Sequence, residues 1–200
     1  MRHPPDAANR LRVHDQTMEH HNIHSFDLGP DFGGRILRPH DDGWDDAVLV
    51  WNGLTDRRPS VVVQPSTAGD IALAIDFARD SDMELSVKGG GHHIAGLSMT
   101  DGGLTIDLSA MRDVVVDADA GLAHAGAGCL LGDLDRATQA HGLATTMEIA
   151  SEVGVAGLTL GGGFGFLARR FGWAADNVEE VEIVTADGQA ASSTSIYRKI

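Results

Sequence analysis

The chain has 200 residues, 42% of them apolar, enough for one buried core, and its 29 acidic against 15 basic residues give a formal charge of −14. That surplus excludes nucleic acid and anionic membrane as partners, because both are themselves negative. The single Cys129 excludes an internal disulfide and a cysteine zinc cluster, and no run reaches the roughly 18 apolar residues of a membrane span.

Lys88 and Lys199 are the only lysines, so the acidic surplus is left to arginine, a balance expected of a protein adapted to high salt. The start, Met1-Arg2-His3-Pro4-Pro5, carries no apolar signal core, and a cytoplasmic location is expected. Residues 1–25 are polar and His-rich without sustained period, which predicts a flexible arm. Residues 26–56 lead in to a main domain predicted over 57–195.

Within it, Ser66-Thr67 followed by Asp70 marks a helix start, and Ile71, Ala74, Ile75 and Ala78 fall on one face. A strand follows at Glu84–Lys88. Leu104–Leu108, Asp113–Asp117 and Leu122–Ala125, the last two joined by a turn at Asp119–Gly121, predict short strands in meander order. Leu130–His141 predicts a helix closed by Gly142 as a left-handed cap. Val178–Val184 is a strand running to the hairpin turn Asp187-Gly188. The pattern is α+β, with many short strands and two or three helices.

The strand at 84–88 runs into Lys88-Gly89-Gly90-Gly91-His92-His93. Consecutive glycines let successive N–H groups line one concave surface, a nest that suits a phosphate or pyrophosphate, and His92 puts an imidazole at its rim. A second glycine-dense segment, Gly154-Val155-Ala156-Gly157-Leu158-Thr159-Leu160-Gly161-Gly162-Gly163-Phe164-Gly165, points to tight backbone packing or close approach to a ligand. Two such segments in one small domain could clamp a long ligand from two sides.

Other motifs carry less. Gly163-Phe164-Gly165-Phe166-Leu167-Ala168 fits the dinucleotide fingerprint, but without a preceding strand, and neither glycine cluster has a P-loop ending. Glu19, His20, His21 and His24 share a helical turn without a third ligand at a telling spacing, so no metal site is expected. His124 and His141 suit core or capping positions, and Cys129 a buried one.

Taken together, the segments resemble the FAD-binding domain of berberine-bridge-enzyme-like flavoproteins, in the vanillyl-alcohol-oxidase or PCMH-type group. The resemblance runs through Val50-Trp51-Asn52-Gly53, Asp56-Arg57-Arg58-Pro59, Val63-Gln64-Pro65-Ser66-Thr67 and Lys88-Gly89-Gly90-Gly91-His92. It continues through Val153–Gly157, Gly161–Gly165 and Val184-Thr185-Ala186-Asp187-Gly188. It implies a PCMH-type domain of short mixed strands with flanking helices over 57–195, binding FAD. Its pyrophosphate would lie on the nest (Lys88, Gly89, Gly90, Gly91, His92, His93), and its ribityl and ring parts near Gly154, Val155, Gly157, Thr159 and Gly161. Its adenine end would lie near Val184. The histidine matching His92 often bonds the flavin 8α carbon in the family. Ala150 stands where doubly attached relatives have cysteine, and Leu158 where many have histidine.

The activity implied is oxidation of an alcohol or amine-type carbon, with electrons passed from flavin to oxygen or another acceptor. The family's substrate domain is not matched by any segment of these 200 residues, so a chain without it is expected. Two further expectations therefore stand beside the oxidoreductase: a non-catalytic remnant, and a flavin-binding subunit completed by a separate chain.

Overall fold

The structure is a computed structural model and describes residues 26–194; the predicted N-terminal arm and its histidines lie outside them. In chain order it contains β1 (Arg35–Leu37), α1 (Trp44–Ala47), β2 (Val61–Gln64), α2 (Ala68–Asp80), β3 (Leu85–Lys88), β4 (Leu104–Asp107), β5 (Val114–Asp117) and β6 (Leu122–Ala125). These are followed by α3 (Leu131–Gln139), α4 (Val155–Leu160), α5 (Ala168–Phe171), β7 (Glu180–Val184) and β8 (Ala190–Thr194).

The first four strands form one sheet in the order β1-β2-β4-β3, with β1 antiparallel to β2 and β4 parallel to both β2 and β3. The expected meander over 104–125 is therefore corrected. Only β5 and β6 pair as a hairpin, while β4 inserts between β2 and β3. Its four residues, Leu104-Thr105-Ile106-Asp107, are all buried, which is what a central parallel strand covered on both faces requires. The hairpin of β7 and β8 is where the Asp187-Gly188 turn predicts it.

Alternation divides the sheet into two unlike faces. Val61, Val63, Leu104 and Ile106 pack against Ala74, Ile75 and Ala78 of α2, with Phe26 and Leu28 closing the cluster. Each fully buried valine or isoleucine contributes roughly 1.5–3 kcal/mol by leaving water. On the other face Val62 joins Leu37, Trp44, Ala47 and Val48. Beside it lies a buried polar layer in which Ser86 and Thr105 share a hydrogen bond of 2.9 Å between their hydroxyls.

The N-terminus of α2 is set by the predicted signature. Thr67 Oγ1 accepts from the Asp70 N–H, and Asp70 accepts in return from the Thr67 N–H. The Asp70 carboxylate also takes the N–H groups of Gly33 at 2.8 Å and Ser66 at 2.9 Å and the Ser66 hydroxyl at 2.7 Å. Burial alone would raise its pKa, but these hydrogen bonds hold it below the ordinary 3.8. One side chain thus caps a helix and ties the lead-in segment to it.

The second glycine segment is not irregular throughout: Val155–Leu160 closes one and a half helical turns between Gly154 and Gly161. His124 is exposed rather than a core residue, whereas His141, also exposed, sits in the turn that closes α3, its N–H donating to the Thr138 carbonyl at 2.9 Å. His124 alternates onto the open face of β6, and His141 lies beyond the end of α3. Cys129 is buried as expected, and that burial pushes its thiol pKa up.

Candidate cofactor site

The parallel strands all end on one side of the sheet, and the nest leaves the carboxyl end of β3, the usual place for a ligand in sheets of this kind. Strand alternation decides what each residue there can do. Ser86 and Lys88 turn to the covered face, whereas Val87 is 53% exposed. The Lys88 ammonium donates to the Ala47 carbonyl at 2.6 Å and faces the buried Asp107 carboxylate at 3.7 Å. Asp107 is held in turn by the Gln64 amide at 3.0 Å and the Ser109 N–H at 3.2 Å. Expected beside the cofactor, Lys88 instead anchors the stem from which the nest springs.

Beyond Lys88 the two glycine segments meet. A Cβ built on Gly90 would lie 2.4 Å from the Gly154 nitrogen, a separation no real side chain tolerates. The contact is braced from below, where the Val155 N–H donates to the Cys129 carbonyl at 2.9 Å and Leu130 bridges Gly154. Gly89 lies over the Ala127 carbonyl, and Gly91 turns with φ of +71°. Gly157 sits on the open side of α4 with nothing within 4 Å of its missing Cβ. Thr159 is half-buried and Gly161 exposed at the far end of that helix.

These surfaces fit a long anionic group. Among the described residues, the backbone N–H groups of Gly90, Gly91, His92 and His93 donate no hydrogen bond, nor do those of Ala156 and Gly157 on the facing segment. Unpaired donors around a glycine-lined cradle match a pyrophosphate. Exposed apolar side chains on the same segments, Ile94 at 75% and Leu160 at 84%, suit the flat part of such a molecule.

The two histidines differ. The His92 ring is half-buried and stacks on Trp51, with centroids 5.7 Å apart and planes 22° from parallel. The exposed His93 folds back, its Nδ1 accepting from the Ala95 N–H at 3.2 Å. Sequence reasoning did not place Trp51 at the site; its signal was a large aromatic before Asn52-Gly53 in a lead-in without strand or helix period. The structure does not bring Val184 to the glycine contact: it packs against the apolar core at the end of β7, beside α2. No group of three or more His, Cys, Asp or Glu side chains able to hold a metal occurs among the described residues. No helix there is long and apolar enough to cross a membrane.

Residues 59–193 match the family of the FAD binding domain. The chain is 37% identical over 155 residues to (R)-6-hydroxynicotine oxidase of Paenarthrobacter nicotinovorans, covering 78% of this chain and 34% of that protein. It is 35% identical to an FAD-linked oxidoreductase of Aspergillus fumigatus, covering 78% and 33%. Among solved structures, 6-hydroxy-D-nicotine oxidase from Arthrobacter nicotinovorans superposes with a TM-score of 0.82 at 34% identity, over 85% of this chain and 37% of that one. A berberine-bridge-enzyme-like protein of Physcomitrella patens gives 0.77 at 32%, over 82% and 36%. The chain spans about a third of the length of the curated relatives it matches. By its matched residues, its fold and its glycine cradle, the chain belongs to the FAD binding domain family, among the PCMH-type, berberine-bridge-enzyme-like flavoproteins, and its cofactor is FAD.

Proposed function

We propose that this chain is the FAD-binding part of an oxidoreductase that oxidises an alcohol or amine-type carbon of a small molecule in the cytoplasm. FAD, when bound, supplies the two-electron redox chemistry, and the protein supplies orientation and electrostatics. The observation that carries this reading is the direct contact of Gly90 with Gly154, flanked on both segments by N–H groups without partners. The amides from Gly90 to His93 hold the pyrophosphate. Gly154, Val155, Gly157, Thr159 and Gly161 border the ribityl and ring portion, and Val184 borders the adenine end.

His92 is the residue we assign to covalent attachment. With FAD bound, the His92 imidazole would hold it through one ring nitrogen at the flavin 8α carbon, giving up the imidazole proton as the methyl group gives up one hydrogen. Dissolved dioxygen would accept the two electrons and both hydrogens as hydrogen peroxide. Residues 57–195 form the FAD-binding unit. The substrate walls come from polypeptide beyond this chain, either continuous with it or a separate subunit. The exposed Leu54, Phe164, Phe166 and Trp173 favour such a covering partner.

The test is the visible absorbance of the purified protein before and after incubation with FAD and gel filtration. Oxidised-flavin absorbance travelling with the protein supports the reading. Protein that folds and emerges colourless at saturating FAD would sink it in favour of the remnant.

A further inference from the structure

We infer that Trp51 is a positioning residue for His92, fixing the plane of the imidazole for attachment to the flavin; the inference rests on the reading of His92 as the attachment point. Trp51 is 65% exposed and stacks on His92. An indole so exposed adds little to the core, so its effect lies mainly in what it touches. Ring-on-ring contact resists rotation of the imidazole about its bond to Cβ. The lone pair that would attack carbon lies in the ring plane, and a stack covers a face. Trp51 can therefore orient His92 without occupying its nucleophilic nitrogen, which a hydrogen bond to that nitrogen would do.

The backbone around Trp51 is tied to the nest on both sides of the histidines. The Trp51 N–H donates to the Gly91 carbonyl at 3.1 Å, and the Asn52 side-chain amide donates to the Ile94 carbonyl at 2.6 Å. Asn52 is fixed in its own turn, its carbonyl accepting from the Thr55 N–H at 2.9 Å and its side-chain oxygen from the Leu54 N–H at 3.1 Å. The strap thus moves with the nest, and the indole keeps its place over His92. His93, turned onto its own loop, has no such aromatic support among the described residues.

The experiment uses the full chain, FAD as the probe, and the variants Trp51→Leu and Trp51→Phe. The time course of protein-bound flavin fluorescence after denaturation gives the attachment rate at saturating FAD. Equilibrium titration gives the affinity of the noncovalent complex. The expected result is attachment about tenfold or more slower in Trp51→Leu with affinity changed by less than about threefold, and most of the rate kept in Trp51→Phe. A merely structural role would instead lower affinity or folded fraction and leave the rate at saturation unmoved. A wild-type rate in Trp51→Leu, or a loss in Trp51→Phe as large as in Trp51→Leu, overturns the inference.

If the wild type acquires no covalent flavin, the attachment reading itself fails. The ring-proton shifts of His92 in the free protein then decide the positioning claim. Upfield shifts lost in Trp51→Leu support it, and identical shifts in both proteins overturn it.

Discussion

Gly90 and Gly154 exclude side chains from one another: a Cβ on Gly154 would come within 2.6 Å of the Gly90 nitrogen, and one on Gly90 within 2.9 Å of the Gly154 Cα. Both clashes are with backbone, which cannot rotate away. Gly90→Ala and Gly154→Ala are each expected to cost about 1–3 kcal/mol by forcing the segments apart, and to abolish FAD binding as the donors diverge. Thermal melts and FAD titration of each variant check this. Wild-type affinity in both would contradict it.

Gly157 gives the opposite pattern on stability. It lies inside α4, where a methyl group would meet nothing within 4 Å. Gly157→Ala is expected to raise stability by roughly 0.5–1 kcal/mol, since alanine is the better helix former. If FAD lies across this surface, the same methyl weakens its binding. Melts of the free protein beside FAD titrations would separate the two effects, and an unchanged affinity would move the cofactor off Gly157.

Covalent flavin is expected on His92 alone. His92→Ala should retain no flavin after denaturation and still bind FAD reversibly, while His93→Ala should behave as wild type. Peptide mass mapping is the measurement. An adduct on His93 or Cys129 would remove His92 from the role.

Asp70 sets an acid limit on stability. Its carboxyl is held below the ordinary 3.8 in the folded protein, so its contribution is fully present above that value and is lost as pH falls through the lower folded value. Asp70→Asn is expected to cost about 1–3 kcal/mol near neutral pH and to show a shallower loss of stability in acid. Denaturant unfolding from pH 7 down to pH 3 would show both. Parallel acid limbs for the two proteins would contradict the assignment.

The charge balance predicts a salt response. With 29 acidic and 15 basic residues, repulsion at low ionic strength is screened as the Debye length contracts from about 10 Å at 0.1 M salt to about 3 Å at 1 M. The melting temperature is expected to rise by several degrees over that range in potassium chloride. A flat or falling curve would rule out salt adaptation.

What could be read from the sequence was mostly local. α2 was legible because Thr67 and Asp70 form its cap and Ala74, Ile75 and Ala78 recur at helical spacing, and all keep those roles in the fold. The density of glycine signalled close approach, but not that Gly90 and Gly154 approach each other, since their partnership depends on segments far apart in the chain. α4 was missed because glycine and threonine depress helix propensity, while its backbone is steadied by Cys129 and Leu130. The inward turn of Lys88 follows from strand alternation, yet which face is covered depends on α1 and β4. The Trp51–His92 stack, between residues on separate loops, has no period to betray it.

The insertion of β4 between β2 and β3 has a consequence for the order of events during synthesis. β3 carries the nest, and its ladder partner is β4, at residues 104–107. A nascent chain that has emerged only as far as His93 holds every nest residue but no strand against which to set its stem. Gly154, the other half of the cradle, emerges later still. FAD capture should therefore come late in translation, after the non-local pairings that are slow to form in any chain, and the cofactor would select for chains already folded.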